Sequence, residues 1–129
     1  MANSVGYHES EDKLREETLD NHRALTSMQE ELEAVDWYDQ RVDAATDAEL
    51  EEILAHNRDE EKEHFVMLLE WYRRRDPKLS DELKNRLFAS GSIVAREAAD
   101  KGAADSAAAG SAPSGGSLGI GSLKGGRGL

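Results

Sequence analysis

Three side chains hold the pattern most suggestive of chemistry: Glu61 and His64 within "EKEH", and Glu31 in the earlier stretch "EELE". Carboxylate oxygens and an imidazole nitrogen are the donors that iron, manganese and zinc accept. On a helix, positions i and i+3 are neighbours, so Glu61 and His64 share a face. At about 100° per residue, that face also carries Asn57, Leu50, Ile53, Leu68 and Trp71, an apolar stripe of the kind that packs against a core. A Glu-x-x-His pair in an acidic helix is usually just a solvated surface. Here the pair sits inside the stripe, where an unpaired carboxylate is expensive to bury. No Lys or Arg is expected on this face to neutralise Glu61, so a divalent cation is the simplest way to satisfy the site.

The elements that must position these residues follow from punctuation and periodicity. No Gly or Pro occurs from Asp12 to Pro77, which predicts long helices. Leu25, Met28, Leu32, Val35 and Val42 form one apolar stripe at 3–4 spacing, predicting a first helix. The pattern stops near Asp43 to Ala45, and "TDAE" reads as a capping box with Thr46 as cap and Glu49 reaching back. A second helix is expected from about Ala48 to Arg75, with three arginines suiting its C-terminal dipole and Pro77 ending it. "LSDELKNRLFASG" predicts a short helix capped by Ser80 and stopped at Gly91, and "SIVAREAAD" allows one more short helix. Measured down from the turn at 1.5 Å per residue, Glu31 lies about 16 Å along one helix and Glu61 about 20 Å along the other. The two therefore come to similar depth. The expected fold is all-α: an antiparallel two-helix hairpin plus a short C-terminal helix. A hairpin cannot bury apolar stripes from both sides, so pairing with a second copy into a four-helix bundle is expected.

Composition sets the limits. The chain has 129 residues, 38% of them hydrophobic, with a net charge of −11 and no cysteine. The acidic balance, with a pI near 4.8, disfavours nucleic acid and anionic membranes as partners and favours cations. Disulfides and thiolate metal sites are excluded. The start "MANSVGYHESEDK" has no apolar core of a leader, and no apolar run is long enough to span a membrane, which points to the cytoplasm. The expected organisation is a disordered start over 1–11, a helical domain over 12–100, a Gly/Ala/Ser linker over 101–116 and a distinct tail over 117–129.

Di-iron carboxylate bundles take a Glu from each of two helices and a Glu-x-x-His from each of the other two. This chain has one helix of each kind, which is half of such a site. The stretch "MQEELEAVDWYDQRVDAATDAELEEILAHNRDEEKEHFVMLLEWYRRRD" resembles the encapsulated ferritin family, most specifically through "ELEAVDWYDQRVD" and "LAHNRDEEKEH" at their separation. The resemblance covers roughly Lys13 to Asp100 and returns at the tail. It implies a ferritin-like dimer that rebuilds a di-iron centre, dimers assembled into a ring-shaped decamer, and ferroxidase activity without a storage cavity. It assigns the iron ligands to Glu31, Glu61 and His64, the three residues already singled out by face and depth.

Weaker signals lie around that core. Glu30 and Glu33 point away from the apolar face and read as ordinary solvated charge; the resemblance implies instead an acidic entrance that draws in Fe²⁺. His56, Glu60 and Glu63, at i, i+4 and i+7, form a lateral patch. It is either a solvated helix face or, as the resemblance implies, an outer site for a second cation such as Ca, Mn or Zn. Tyr38, seven residues after Glu31, could hydrogen-bond a ligand or supply an electron, and a packing role with one wet end serves as well. His8 and His22 have no evident partners.

In the tail, "SLGIGSLKGG" spaces Leu118, Ile120 and Leu123 along an extended segment, too few to fold alone but able to occupy a partner's apolar groove. It resembles the peptide that loads cargo into encapsulin nanocompartments. The function expected is therefore oxidation of Fe(II) by dioxygen at a shared di-iron site, feeding mineralisation inside an encapsulin shell. The alternative is a non-catalytic metal-binding or interaction hairpin carried as cargo. A rubrerythrin-like peroxidase would need the cysteines of a rubredoxin iron site, which the chain lacks.

Overall fold

The structure, a computed structural model, describes residues 6–110, with side chains described to residue 102. Every regular element among these residues is helical: a 3-10 turn at Glu11–Lys13, then α1 (Glu16–Ala44), α2 (Ala48–Arg73), α3 (Pro77–Arg86) and α4 (Ile93–Gly110). None is long and apolar enough to cross a membrane. The chain falls into two compact units, one up to Tyr72 and one from Arg73.

In the first unit, α1 and α2 form the expected hairpin. Nearer the turn Asp39 meets Arg58, and further from it Glu31 meets His64, so the two helices run antiparallel. The turn is capped differently from the expectation. Asp47, not Thr46, accepts the Leu50 amide at 2.9 Å, and α2 starts one residue later than a Thr46 cap requires. A carboxylate at this position both satisfies a free amide and carries the negative charge that a helix N-terminus favours.

The chain ahead of α1 makes a contact of its own with that helix. From Gly6 onward it is described, and the Tyr7 ring lies 4.7 Å from the His22 ring, tilted by 53°. The same imidazole has Thr26 Oγ1 at 3.5 Å from its Nε2. Thr26 is the i+4 neighbour that helical spacing predicts, whereas Tyr7 is a partner that periodicity could not reveal, because it reaches His22 from outside the helix.

Burial inside the hairpin is thin. Ala24 and Met28 are buried, Val35, Val42, Leu54 and Leu68 are half-buried, and Leu25, Leu32, Leu50, Ile53 and Met67 are exposed. Fully burying one such side chain is worth about 1.5–3 kcal/mol. The stripes therefore do half their work within one chain and leave an apolar face open.

In the second unit, Pro77 begins α3 instead of merely closing α2. Asp76, not Ser80, caps it by accepting the Leu79 amide at 2.9 Å, with Pro77 at the first helical position. Proline there forfeits an amide that would lack a partner anyway. The helix stops at Arg86, before Gly91. Phe88 takes a left-handed φ of 55° and Gly91 one of 84°. Ser92 Oγ then accepts the Ala95 amide at 3.2 Å and starts α4. That helix runs to Gly110, ten residues beyond Asp100, into the stretch expected to be linker. The run is rich in alanine, the strongest helix former. Arg86 ties the two helices together through Asp100 at 3.1 Å and is braced by Glu82 on its own helix at 3.3 Å. The tail over 117–129, with Leu118, Ile120 and Leu123, lies outside the described residues.

Candidate metal centre

Glu31 stands one turn beyond the buried Met28 on α1, and α2 carries Glu61 and His64 on consecutive turns. The antiparallel hairpin brings all three together. His64 Nδ1 lies 3.4 Å from Glu31 Oε2 and 3.6 Å from Glu61 Oε2, beyond an ordinary hydrogen bond. Glu31 Oε2 is buried with no hydrogen-bond partner. One ligand atom from each residue falls within 4.8 Å of the others. A transition ion holds such donors at about 2.0–2.2 Å, so small side-chain rotations would close the trio around one. The two carboxylates are mostly covered, with side-chain exposures of 22% and 23%, while the imidazole is 46% exposed. The donor set and the orphaned oxygen fit a divalent cation of the iron, manganese or zinc kind.

The electrostatics agree. Glu61 beside it, first by sharing a proton and then by its charge, together with burial, pushes the Glu31 carboxyl above the usual carboxylate range, and His64 only partly offsets this. The folded chain therefore holds a proton on Glu31 more tightly than the unfolded chain. The resulting stability is present below the unfolded value and lost as pH rises through the raised one. Without metal, the protein should lose stability as pH rises out of the carboxylate range. Glu31→Gln should flatten that dependence and raise Tm near neutrality. Thermal melts by circular dichroism in chelator, from about pH 4 to about pH 8, test this; an equally steep profile in the variant would refute it.

The other residues singled out by sequence are not part of this trio. Glu30 and Glu33 are exposed. The Arg41 guanidinium lies 5.3 Å over the Tyr38 ring; a cation on that face stabilises the ring as it is and opposes electron loss, which favours packing. His56 Nε2 pairs with Glu60 Oε1 at 2.9 Å. The outer residues whose ligand atoms come within 4.8 Å are instead Glu60, Glu63 and His64, all exposed, so His64 belongs to two trios. Beside it lies an open groove of about 690 Å³, walled by Ala24, Ser27, Met67, Leu68 and Trp71 among others.

Sequence reasoning overlooked one group. Arg58 is a cation one turn before Glu61 on α2, but its guanidinium is held elsewhere. It donates to Asp39 on α1 at 2.8 Å and to Asp59 at 3.1 Å, and Lys62 supports Asp59 at 3.3 Å. Arg58, then Lys62, hold the Asp59 carboxyl below its ordinary value. Arginine at i and glutamate at i+3 is the signal that could have revealed it.

The EncFtn-like family matches residues 6–90 of the chain. The chain belongs to this family. Its EncFtn-like portion takes in both helices of the hairpin and α3. Among curated relatives it is 60% identical over 122 residues to an encapsulated ferritin-like protein of Rhodospirillum rubrum, covering 92% of this chain and 87% of that one. It is 46% identical over 96 residues to a ferritin-like protein of Thermotoga maritima, covering 74% and 84%. Among solved structures it resembles protein ne0167 from Nitrosomonas europaea, at 60% identity and a TM-score of 0.66, covering 69% of this chain and 98% of that one. The all-helical architecture is thus that of an EncFtn-like chain.

Proposed function

We propose that this chain is a ferroxidase whose di-iron site forms between two copies, and that it works as cargo of an encapsulin shell. The observation that carries this reading is the Glu31, Glu61 and His64 trio with its unsatisfied buried oxygen, in a chain of the EncFtn-like family. Three donors are too few for two ions. A two-fold axis through the open apolar face supplies the same three from a second copy, and the pair becomes a ferritin-like four-helix bundle. The exposed Leu25, Leu32, Leu50 and Ile53 are what such a partner would cover. Further pairing of dimers gives the ring-shaped decamer.

The chain's own groups do three things. Glu31 and Glu61 give hard anionic oxygens that favour Fe³⁺ over Fe²⁺ and can shift between coordination modes. His64 Nδ1 must be unprotonated to donate, so substrate binding competes with protons and weakens at low pH. Exposed Glu30 and Glu33 concentrate cations near the site as an acidic entrance. The substrate is Fe²⁺, and dioxygen would take one electron from each of two such ions and, with two protons, leave as hydrogen peroxide. Fe³⁺ then passes to mineral inside the shell, in the cytoplasm, for iron storage and detoxification. Outer carboxylates at Glu60 and Glu63, with His56 or His64, are secondary places for Ca, Mn or Zn. Aerobic Fe²⁺ oxidation by purified protein, followed by absorbance, tests the reading; binding of iron without oxidation would leave only a metal buffer.

The tail provides a separate test. If Leu118, Ile120 and Leu123 dock in the shell's apolar groove, deleting Ser117 to Leu129 should abolish loading into a co-expressed encapsulin. Oxidation and oligomeric state should survive, since the di-iron ligands all lie in the hairpin. Loading of the truncated chain at the full-length level would remove the docking role.

A further inference from the structure

Arg58 raises a problem for any cation site built on Glu61. The two residues are i and i+3 on α2, neighbours within reach of an ion pair. An arginine there would compete with a metal for the carboxylate, and in a two-copy site it would do so from both chains. The structure shows where its charge goes instead. Arg58 Nη1 donates to Asp39 on the facing helix at 2.8 Å, and Nε donates to Asp59 at 3.1 Å. Lys62, itself one residue from Glu61, is likewise turned back to Asp59 at 3.3 Å. The arginine side chain is mostly covered, with 23% exposure, so it is packed along the hairpin and not sampling solvent freely.

We propose that Asp39 and Asp59 act as positioning residues that hold Arg58 away from Glu61 and so keep the Glu61 carboxylate free for metal. This rests on the ferroxidase reading of the trio. Asp39 reaches across from α1 and fixes the direction of the guanidinium. Asp59, the next residue along α2, binds its other edge and also takes up Lys62. Two carboxylates that look like surplus surface charge thereby divert the one arginine that neighbours Glu61 at i+3 on α2. The arrangement differs from a structural clasp in one decisive respect: the damage done by losing the aspartates should require Arg58 to be present.

The test uses the full-length chain with Co²⁺, whose absorbance reports ligation without any turnover. Asp39→Asn/Asp59→Asn should weaken Co²⁺ binding roughly fivefold, the scale of one exposed to half-buried ion pair. Adding Arg58→Gln to that variant should restore binding, and Arg58→Gln alone should bind at least as tightly as wild type. Asp36→Asn/Asp43→Asn, an equal change of charge on α1 with Arg58 still held, should stay within about twofold, which separates this effect from the general field of an acidic protein. Circular dichroism and sedimentation show that each variant is folded and assembled. Wild-type Co²⁺ affinity in Asp39→Asn/Asp59→Asn, or persistent weakness after Arg58→Gln is added, would overturn the proposal. If Glu61→Gln binds Co²⁺ as well as wild type, the metal-centre reading itself fails, and that outcome is distinct from the first two.

Discussion

Replacing His64, Glu61 or Glu31 by alanine should each reduce aerobic Fe²⁺ oxidation more than about 100-fold, since even loss of a group supporting a ligand costs 10–100-fold in metal affinity or activity. His64 has the largest expected effect, because its Nδ1 is the atom facing both carboxylates, at 3.4 and 3.6 Å. His56→Ala should keep most of the activity: its imidazole is tied to Glu60 on the exposed side of α2. The fold should tolerate the Glu31 and Glu61 changes. Glu31 Oε2 has no hydrogen-bond partner, and near neutrality removing either carboxylate relieves the like charge that, after the proton shared with Glu61 and burial, helps push the Glu31 carboxyl up. Absorbance at the ferric band under air, with melting curves as the control for folding, measures both parts. Wild-type rates in His64→Ala would place the chemistry elsewhere.

Assembly should depend on iron. In a site shared across a two-fold axis, four carboxylates and two imidazoles converge, and without metal the carboxylates repel. The exposed leucines and isoleucine of the hairpin favour association, and the clustered charge opposes it. A cation that binds only the paired state adds RT ln(1 + [L]/Kd) to its stability, about 2.7 kcal/mol at a hundredfold excess over Kd. Metal-free protein should therefore dissociate on dilution, and Fe²⁺ should drive it back together. Iron at the proposed shared site should come to one per chain, and dilute monomer should oxidise little. Sedimentation and initial rates across a grid of protein and Fe²⁺ concentrations follow both effects. A stable monomer that takes up two irons and oxidises them at full rate would contradict the shared site.

Much of this was legible in the order of residues. Helical periodicity is a local property, so the stripe holding Leu50, Ile53, Leu68 and Trp71 placed Glu61 and His64 on one face without knowledge of the fold. A fixed rise per residue then brought Glu31 to their depth, and the structure has Glu31 3.4 Å from His64. The helix ends were less legible. Thr46 and Asp47 are both good caps, as are Asp76 and Ser80, and the choice turns on which side-chain oxygen reaches an amide; those of Asp47 and Asp76 do. Composition suggested linker after Asp100, where alanine-rich chain extends α4 to Gly110.

By itself, the sequence determined the helical hairpin, the acidic cation-seeking character and the one-sided pairing of carboxylates with an imidazole, because each depends on residue type and on spacing along one helix. Only the tertiary structure decided what crosses between elements. Tyr7 against His22, Arg58 reaching Asp39, and the sharing of His64 between the inner and outer trios depend on the path of the chain and on side-chain rotamers. A rotation about one χ angle moves an imidazole or guanidinium by several ångströms, enough to choose one carboxylate over another, and no periodicity in the sequence encodes that choice.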